Sequence, residues 1–322
     1  MKRLGLIGLG NAGGPLGERL LRKGYSVKVY DVNPRASRPL EQLGAMKVSS
    51  AREATTEVTV TVLPSSLEVR AAASGEEGIL AGIQPRFTWI DLSGTDPDCA
   101  RELEQKVREK GGNFLGGALH AHGAPTVTIP KGLLSIVIGG EKDALEACIG
   151  IFKDLAHKTI CVPEPWMPKA LKIAVIMLAT ASSIISAEVC AWLTAQDINP
   201  QLFLQLLETT GSHASASRIE EFFKRNKSYG GALSNSYKDL RQALKVAADL
   251  NIPVPLSATA NQIQEMGRAH GLTRMNSPAA IGKLYEMLTG VNLSQAVTWG
   301  ERTFPEPGEP QIFYLGMDSV GK

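Results

Sequence analysis

Gly8, Gly10 and Gly13 stand at G-x-G-x-x-G spacing in "GLGNAG", directly after the apolar run "RLGLI" and at the head of "GGPLGERLLRKG". A pyrophosphate needs this order of strand, glycines and helix. Gly8 permits the tight turn, Gly10 lets the backbone approach the anion, Gly13 allows close helix packing, and the helix N-terminus favours negative charge. Leu9, Asn11 and Ala12 complete the turn. A second apolar run, "SVKVYD", ends in Asp31 about twenty residues further on, where a carboxylate can accept hydrogen bonds from both hydroxyls of a ribose; Asn33 follows it. The chemistry implied is dinucleotide binding. A carboxylate there repels a 2′-phosphate, so NAD is expected in preference to NADP. Arg35 and Arg38 lie just downstream and are read as cations on a solvated loop.

A second stretch raises a question of its own. In "MPKALKIAVIMLATASSIISAE", Met167 to Glu188, Lys169 and Lys172 open a long apolar run that meets no further charge until its last residue. A lysine that snorkels to solvent from a helix start is the bland reading. A membrane span is disfavoured, because Thr180, Ser182, Ser183, Ser186 and Glu188 interrupt the run and no flanking charge asymmetry supports insertion. The expectation is a helix packed on several sides, at a domain junction or a subunit interface.

The elements that must position these residues follow from the pattern of the chain. From Arg3 to Val162, short runs such as "RLGLIGL", "SVKVYD", "EVTVTVLP", "FTWIDLS", "NFLGGAL", "LLSIVIGG" and "KTICVPE" alternate with helical patterns. This predicts a doubly wound, largely parallel α/β sheet over 1–162. From 163 to 290 a helical period takes over, in "PQLFLQLLETT", "SASRIEEFFKR", "YKDLRQALKVAADL", "SATANQIQEMGRA" and "AAIGKLYEML", which predicts an all-α domain that begins with the long apolar helix. Residues 291–322 combine prolines, glycines and isolated aromatics and read as an irregular extension. Ligands of open α/β sheets bind beyond the carboxyl ends of strands. "VLPSS", with Leu63 and Pro64, and "DLSGT", with Ser93 and Gly94, therefore join the candidate cofactor site, although either is also readable as an ordinary serine-rich turn.

Composition narrows the class. The 322 residues are 43% apolar, enough for more than one core, and 34 basic against 32 acidic side chains leave a formal charge of +2 without a basic band. Nucleic acid and membrane are not expected partners; a small molecule is. Cys99, Cys148, Cys161 and Cys190 have neither C-x-x-C nor metal-ligand spacing and read as reduced, and the chain opens on a strand without a leader-like segment, so a cytoplasmic protein without a bound metal is expected.

Four stretches together resemble the β-hydroxyacid dehydrogenases, the family of 3-hydroxyisobutyrate dehydrogenase and tartronate semialdehyde reductase, within the 6-phosphogluconate dehydrogenase superfamily. "GLIGLGNAG" is similar to its N-terminal fingerprint, "IDLSGTDP" to its D-x-S-T-x-x-P segment, "GLLSIVIGG" to the strand that closes its substrate loop, and "YKDLRQAL" to its K-D-L helix. The resemblance runs to about Leu288. It implies a Rossmann domain joined by a long helix to a dimerising helical domain, in a homodimer or tetramer. It also implies a lysine on that helix as acid-base residue. Lys172 precedes Glu188 by the interval at which the family's lysine precedes the glutamate of its "E-A" pair, and Lys169 does not. An ammonium in a dry cleft can exchange a proton with the oxygen of a substrate while a hydride moves between nicotinamide and the carbinol carbon. Lys238 of "KDL" is carried over as a residue at the nicotinamide end.

The sequence also departs from the family. Where the family's substrate loop holds a carboxylate with Ser-Gly-Gly, this chain has "GGALHAHGAPT", so His120, His122 and Gly123, with Ser93, are the candidates to face substrate, although a His-x-His in a loop is also readable as merely solvated. One turn beyond Lys172 the family's asparagine is replaced by Val175 and Ile176, and Gly94 stands where the family has threonine. The expected activity is an NAD(P)-dependent oxidoreductase for a hydroxy acid or related carbonyl compound. An imine reductase-like enzyme and a dinucleotide-binding protein without chemistry are the alternatives.

Overall fold

A computed structural model of the chain describes residues 3–121, 125–210, 232–293 and 311–314. The chain divides into two compact units, Met1–Lys172 with Glu306–Lys322, and Ile173–Pro305. The division falls inside the long apolar helix rather than at residue 163, where the strand pattern ends.

The first unit is a sheet with helices between its strands. In chain order it runs β1 (Arg3–Ile7), α1 (Gly13–Arg22), β2 (Ser26–Tyr30), α2 (Arg38–Glu41), β3 (Met46–Lys47), α3 (Ala51–Ala54), β4 (Val58–Thr61), α4 (Ser66–Ala73), β5 (Thr88–Asp91) and α5 (Pro97–Glu109). It continues through β6 (Asn113–Ala121), α6 (Pro125–Thr128), β7 (Leu134–Gly139), α7 (Lys142–Leu155) and β8 (Lys158–Val162), and the head of α8 (Met167–Thr194) follows. The described strands lie in the order β3-β2-β1-β4-β5-β6-β7-β8-β9. β6 and β7 pair antiparallel, the other neighbours parallel. The order reverses between β1 and β4, which places the ligand crevice of such a fold at their carboxyl ends.

One expectation is corrected. The tail is not wholly irregular, because Gln311–Tyr314 forms β9 and pairs with β8 in parallel, Lys158 opposite Gln311 and Cys161 opposite Tyr314. Without it the backbone groups along β8 would be an open edge, a template for unwanted pairing. The rest of 294–322 and the "SASRIEEFFKR" helix lie outside the described residues.

Both faces of the sheet are covered, so successive side chains of its central strands enter different cores. Leu6, Ile90 and Leu115 join one cluster with Leu16, Leu20 and Phe152, while Ile7, Trp89 and Phe114 join the other with Val69, Leu103 and Val107. Trp89 meets Phe114 edge to face, with ring centroids 5.5 Å apart. Helix starts follow local chemistry at the rim: Ser65 caps α4 by accepting from the Leu67 amide, and Asp96 caps α5 by accepting from the Cys99 amide at 2.7 Å, just ahead of Pro97.

The second unit is helical. After the remainder of α8 come α9 (Pro200–Thr209), α10 (Leu233–Asp249), α11 (Pro255–Ala269) and α12 (Ser277–Thr289). Ile184, Ala187 and Cys190 of α8 pack with Leu240, Ala260, Ile281 and Leu284 from the last three helices. α8 is long and apolar enough to cross a membrane by length and composition.

Candidate active site

The turn between β1 and α1 shows three glycines used in two different ways. Gly8 has φ +89°, and a Cβ there would lie 2.4 Å from the Val62 carbonyl oxygen; one on Gly13 would lie 1.9 Å from the carbonyl oxygen of Gly8. Both positions are closed by the protein itself. Around Gly10 no protein atom lies within 4 Å of the same point, so that space is open to a ligand. It lies before the N-terminus of α1, whose first turn carries no acidic residue, so amide groups with partial positive charge meet whatever enters.

Asp31, just past β2, is held against this turn. Its Oδ2 accepts from the Leu9 amide at 2.7 Å and its Oδ1 from the Asn33 amide at 2.8 Å. Its carboxylate remains partly exposed, with lone pairs left for hydroxyl donors. The loop after β4 is laced to the loop after β5, because the Leu63 amide donates to Ser93 Oγ at 2.9 Å and the Gly94 amide to the Leu63 carbonyl at 3.1 Å. Leu9, Gly10, Asn11, Ala12, Gly13, Asp31, Asn33, Leu63, Pro64, Ser93 and Gly94 thus border one sheet edge. The open space over Gly10, the amides behind it and the carboxylate beside it fit the pyrophosphate and ribose of a dinucleotide.

Beneath this edge lies a buried ion pair that sequence reading passed over. Asp91, at the end of β5, is 0% exposed and Lys169, in the first turn of α8, is 1% exposed. Lys169 Nζ donates to Asp91 Oδ2 at 2.8 Å and to the carbonyls of Asp91, Ser93 and Gly117 at 3.0, 3.1 and 2.7 Å. Asp91 Oδ1 accepts from Thr61 Oγ1 at 2.7 Å and from the Ser93 amide at 3.2 Å, and Oδ2 also accepts from Thr95 Oγ1 at 3.1 Å. Burial alone would raise the Asp91 pKa; the Lys169 charge and hydrogen bonds from Lys169, Ser93 and Thr61 outweigh it and hold the carboxyl below its ordinary value. The sequence signal was present, since Asp91 ends a strand and Lys169 opens an apolar helix, but nothing in the sequence said that they meet.

Comparison with known proteins now adds to this geometry. Residues 3–163 match the NAD binding domain of 6-phosphogluconate dehydrogenase, and residues 168–284 match the NAD-binding domain of NADP-dependent 3-hydroxyisobutyrate dehydrogenase. The chain belongs to the β-hydroxyacid dehydrogenase family. The 2-(hydroxymethyl)glutarate dehydrogenase of Eubacterium barkeri is 26% identical over 297 residues, which cover 91% of this chain and 97% of that enzyme. The solved 3-hydroxyisobutyrate dehydrogenase of Mycobacterium tuberculosis with L-serine superimposes with a TM-score of 0.77 at 22% identity, covering 88% of this chain and 99% of that one. An imine reductase from Myxococcus stipitatus in complex with NAD+ has the same architecture, with a TM-score of 0.61 at 20% identity, covering 88% of this chain and 99% of that one. This β-hydroxyacid dehydrogenase homologue is an NAD(P)-linked oxidoreductase with a Rossmann domain and a helical domain.

The remaining expected site residues fall as follows. Lys172 is partly exposed on α8 and is the last residue of the first unit. His120 is partly exposed near the end of β6; His122 and Gly123 lie outside the described residues. Val175, exposed, and Ile176, partly buried, belong to the helical unit. So does Lys238 on α10, whose Nζ lies 3.3 Å from Asp239 Oδ1. Glu188, the family's marker on α8, accepts from the Tyr285 hydroxyl at 2.7 Å.

Two predictions follow from the glycines and from the ion pair. Gly10→Ala should leave thermal stability near wild type while weakening dinucleotide binding at least about tenfold in calorimetry, about 1.4 kcal/mol. Gly8→Ala, which combines a positive φ with a clash, should instead destabilise the fold by about 1–3 kcal/mol or more in urea unfolding. Lys169→Met strands a buried carboxylate and should cost about 3–5 kcal/mol by the same measurement. Because the folded Asp91 pKa is depressed, its stabilisation is complete above the ordinary carboxylate range and is lost as pH falls through that range toward the folded value. The urea midpoint should therefore drop on acidification, and drop less in Asp91→Asn.

Proposed function

We propose that this enzyme is an NAD-dependent dehydrogenase of a small hydroxy acid, or the reductase of the matching carbonyl compound, with Lys172 as its acid-base residue. The observation that carries this reading is the fate of Lys169. Of the two lysines at the head of α8, Lys169 is enclosed and directed at four oxygens, which leaves no proton of its ammonium for a substrate. Lys172, one turn on, is the lysine of the pair that retains exposure.

When bound, the nicotinamide gives or takes the hydride. The turn Gly8–Gly13 and the amides of α1 hold the pyrophosphate, Asp31 accepts from the ribose, and Leu63, Pro64, Ser93 and Gly94 border the far end. Lys172 gives or takes the proton at the substrate oxygen, so that no charged alkoxide has to form. Ser93 and His120 orient the substrate's polar groups. Val175 and Ile176 present apolar surface where the family has asparagine, which favours a substrate with a larger or less polar substituent than 3-hydroxyisobutyrate. Asp31 favours NAD, since a 2′-phosphate beside a carboxylate already bonded to two amides would be repelled.

The protein is further proposed to be a soluble cytoplasmic homodimer. Its four cysteines are free and buried, as in a reducing compartment. On α8, Val175, Leu178, Ser182, Ile185, Val189 and Trp192 recur at alternating three- and four-residue spacing, and Val175, Leu178, Ile185 and Trp192 are exposed, from 48% to 70%. A stripe with this period suits the helix of a second copy.

With NAD and a panel of 3-hydroxyisobutyrate, 2-(hydroxymethyl)glutarate, L-serine and more apolar β-hydroxyacids, NADH absorbance should rise for at least one compound. Lys172→Met should lower that turnover by about two to four orders of magnitude while leaving NAD affinity unchanged. Calorimetry should give tighter binding of NAD than of NADP, and equal affinities would contradict the role given to Asp31. Purified without detergent, the protein should scatter light as a dimer at micromolar concentration; a stable monomer would remove the second copy from α8.

A further inference from the structure

We infer that Lys169 is a positioning residue for the hydride-transfer site: its buried ammonium clamps the loop after β5 to the head of α8 and so sets Lys172 against Ser93. The inference rests on the reading of Lys172 as acid-base residue.

The acceptors around Lys169 are what distinguish it from a lysine merely buried in a core. All four oxygens belong to two neighbouring strands, the β5 end with its loop and the middle of β6 at Gly117. Three of them are main-chain carbonyls, and those of Asp91 and Ser93 flank the loop whose Ser93 hydroxyl takes the Leu63 amide. One cation therefore holds the end of β5 and the middle of β6 directly and the β4 loop through one further bond. The chain has made room for this contact. A Cβ on Gly116 would lie 1.9 Å from the Pro165 carbonyl oxygen and one on Gly139 2.1 Å from that of Glu164, so the segment entering α8 is seated against the sheet at two glycines.

Replacing a buried ion pair with apolar side chains of similar volume is often neutral or stabilising. Stability alone is therefore a poor reason for this pair, whereas directionality is a good one. An ammonium with three donors fixes its acceptors in angle as well as in distance, which an apolar contact does not do. Lys172 follows one turn later on the same helix, about 4.5 Å along its axis. A displacement of the order of 1 Å between a catalytic group and its reaction partner lowers rates by about a hundredfold. Holding the α8 head to the Ser93 loop is thus worth more to turnover than to stability.

The test separates those two contributions. Lys169→Met leaves Asp91 buried without its cation, so the informative variant is Lys169→Met with Asp91→Asn, which removes the charge of both partners. Turnover is followed on the hydroxy acid of the panel above that wild type oxidises fastest. The neutral pair should recover most of the melting temperature lost in the single variant and bind NAD within about twofold of wild type, yet show kcat at least about tenfold lower. In a Lys172→Met background the same two substitutions should change kcat by less than about twofold, because their effect passes through Lys172. If the neutral pair does not fold, Lys169→Arg keeps the charge with different donor directions and should likewise lower kcat without changing NAD affinity.

Wild-type kcat in the folded neutral pair, or in Lys169→Arg where that variant is needed, overturns the inference. So does a loss that multiplies in full on that of Lys172→Met, which would make the pair structural. If Lys172→Met itself retains turnover, the reading of Lys172 fails and this inference falls with it. If Lys172→Met is inactive while the neutral pair turns over normally, only the positioning role is lost.

Discussion

Two opposite charges withdrawn from water at the centre of the sheet set the terms for everything around them. Burying Asp91 and Lys169 is costly unless each has the other as partner and the remaining donors and acceptors are supplied. Those come from Thr61 on β4, from Ser93 and Thr95 in the loop after β5, and from Gly117 on β6. Thr61 Oγ1 also accepts from the indole nitrogen of Trp89, which ties the polar knot to the apolar layer beneath it. The ends of β4 and β5, the middle of β6 and the head of α8 therefore meet at one pair of charges.

The glycines solve the complementary problem of distance. At Gly8, Gly13, Gly116 and Gly139 another stretch of backbone comes so near that no side chain fits. Gly10 differs in that its empty side faces outward. The same residue type therefore serves packing at four positions and leaves open space at one. Sequence spacing does not distinguish the two uses.

Much of the fold was legible because the physics that fixes it is local. Strands buried on both faces read as apolar β-branched runs, and the change to a helical period marks where the sheet gives way to helices. The glycine turn and Asp31 were legible because G-x-G-x-x-G after a strand, with a carboxylate about twenty residues on, is a local pattern. Lys169 was not, since its partners are remote in sequence and a lysine opening an apolar helix has an ordinary solvated explanation. β9 was missed because four residues among prolines and glycines carry too little periodicity, and pairing along an edge depends on the neighbouring strand more than on its own side chains. The division at Lys172 is not visible in the sequence, because the helix that spans it is continuous in pattern.

β9 changes what kind of connection the helical unit makes. β8 and β9 are parallel neighbours, and a parallel pair requires a crossover between its strands. Here the crossover contains all of Ile173–Pro305, so the helical unit is topologically an insertion between two adjacent strands of the sheet. It leaves through α8 and its chain returns to the strand next to the one it left. The last strand is also the last part of the described chain to be synthesised, so the sheet gains its outer edge only after the whole helical unit has emerged, and the order of translation keeps β8 open until then.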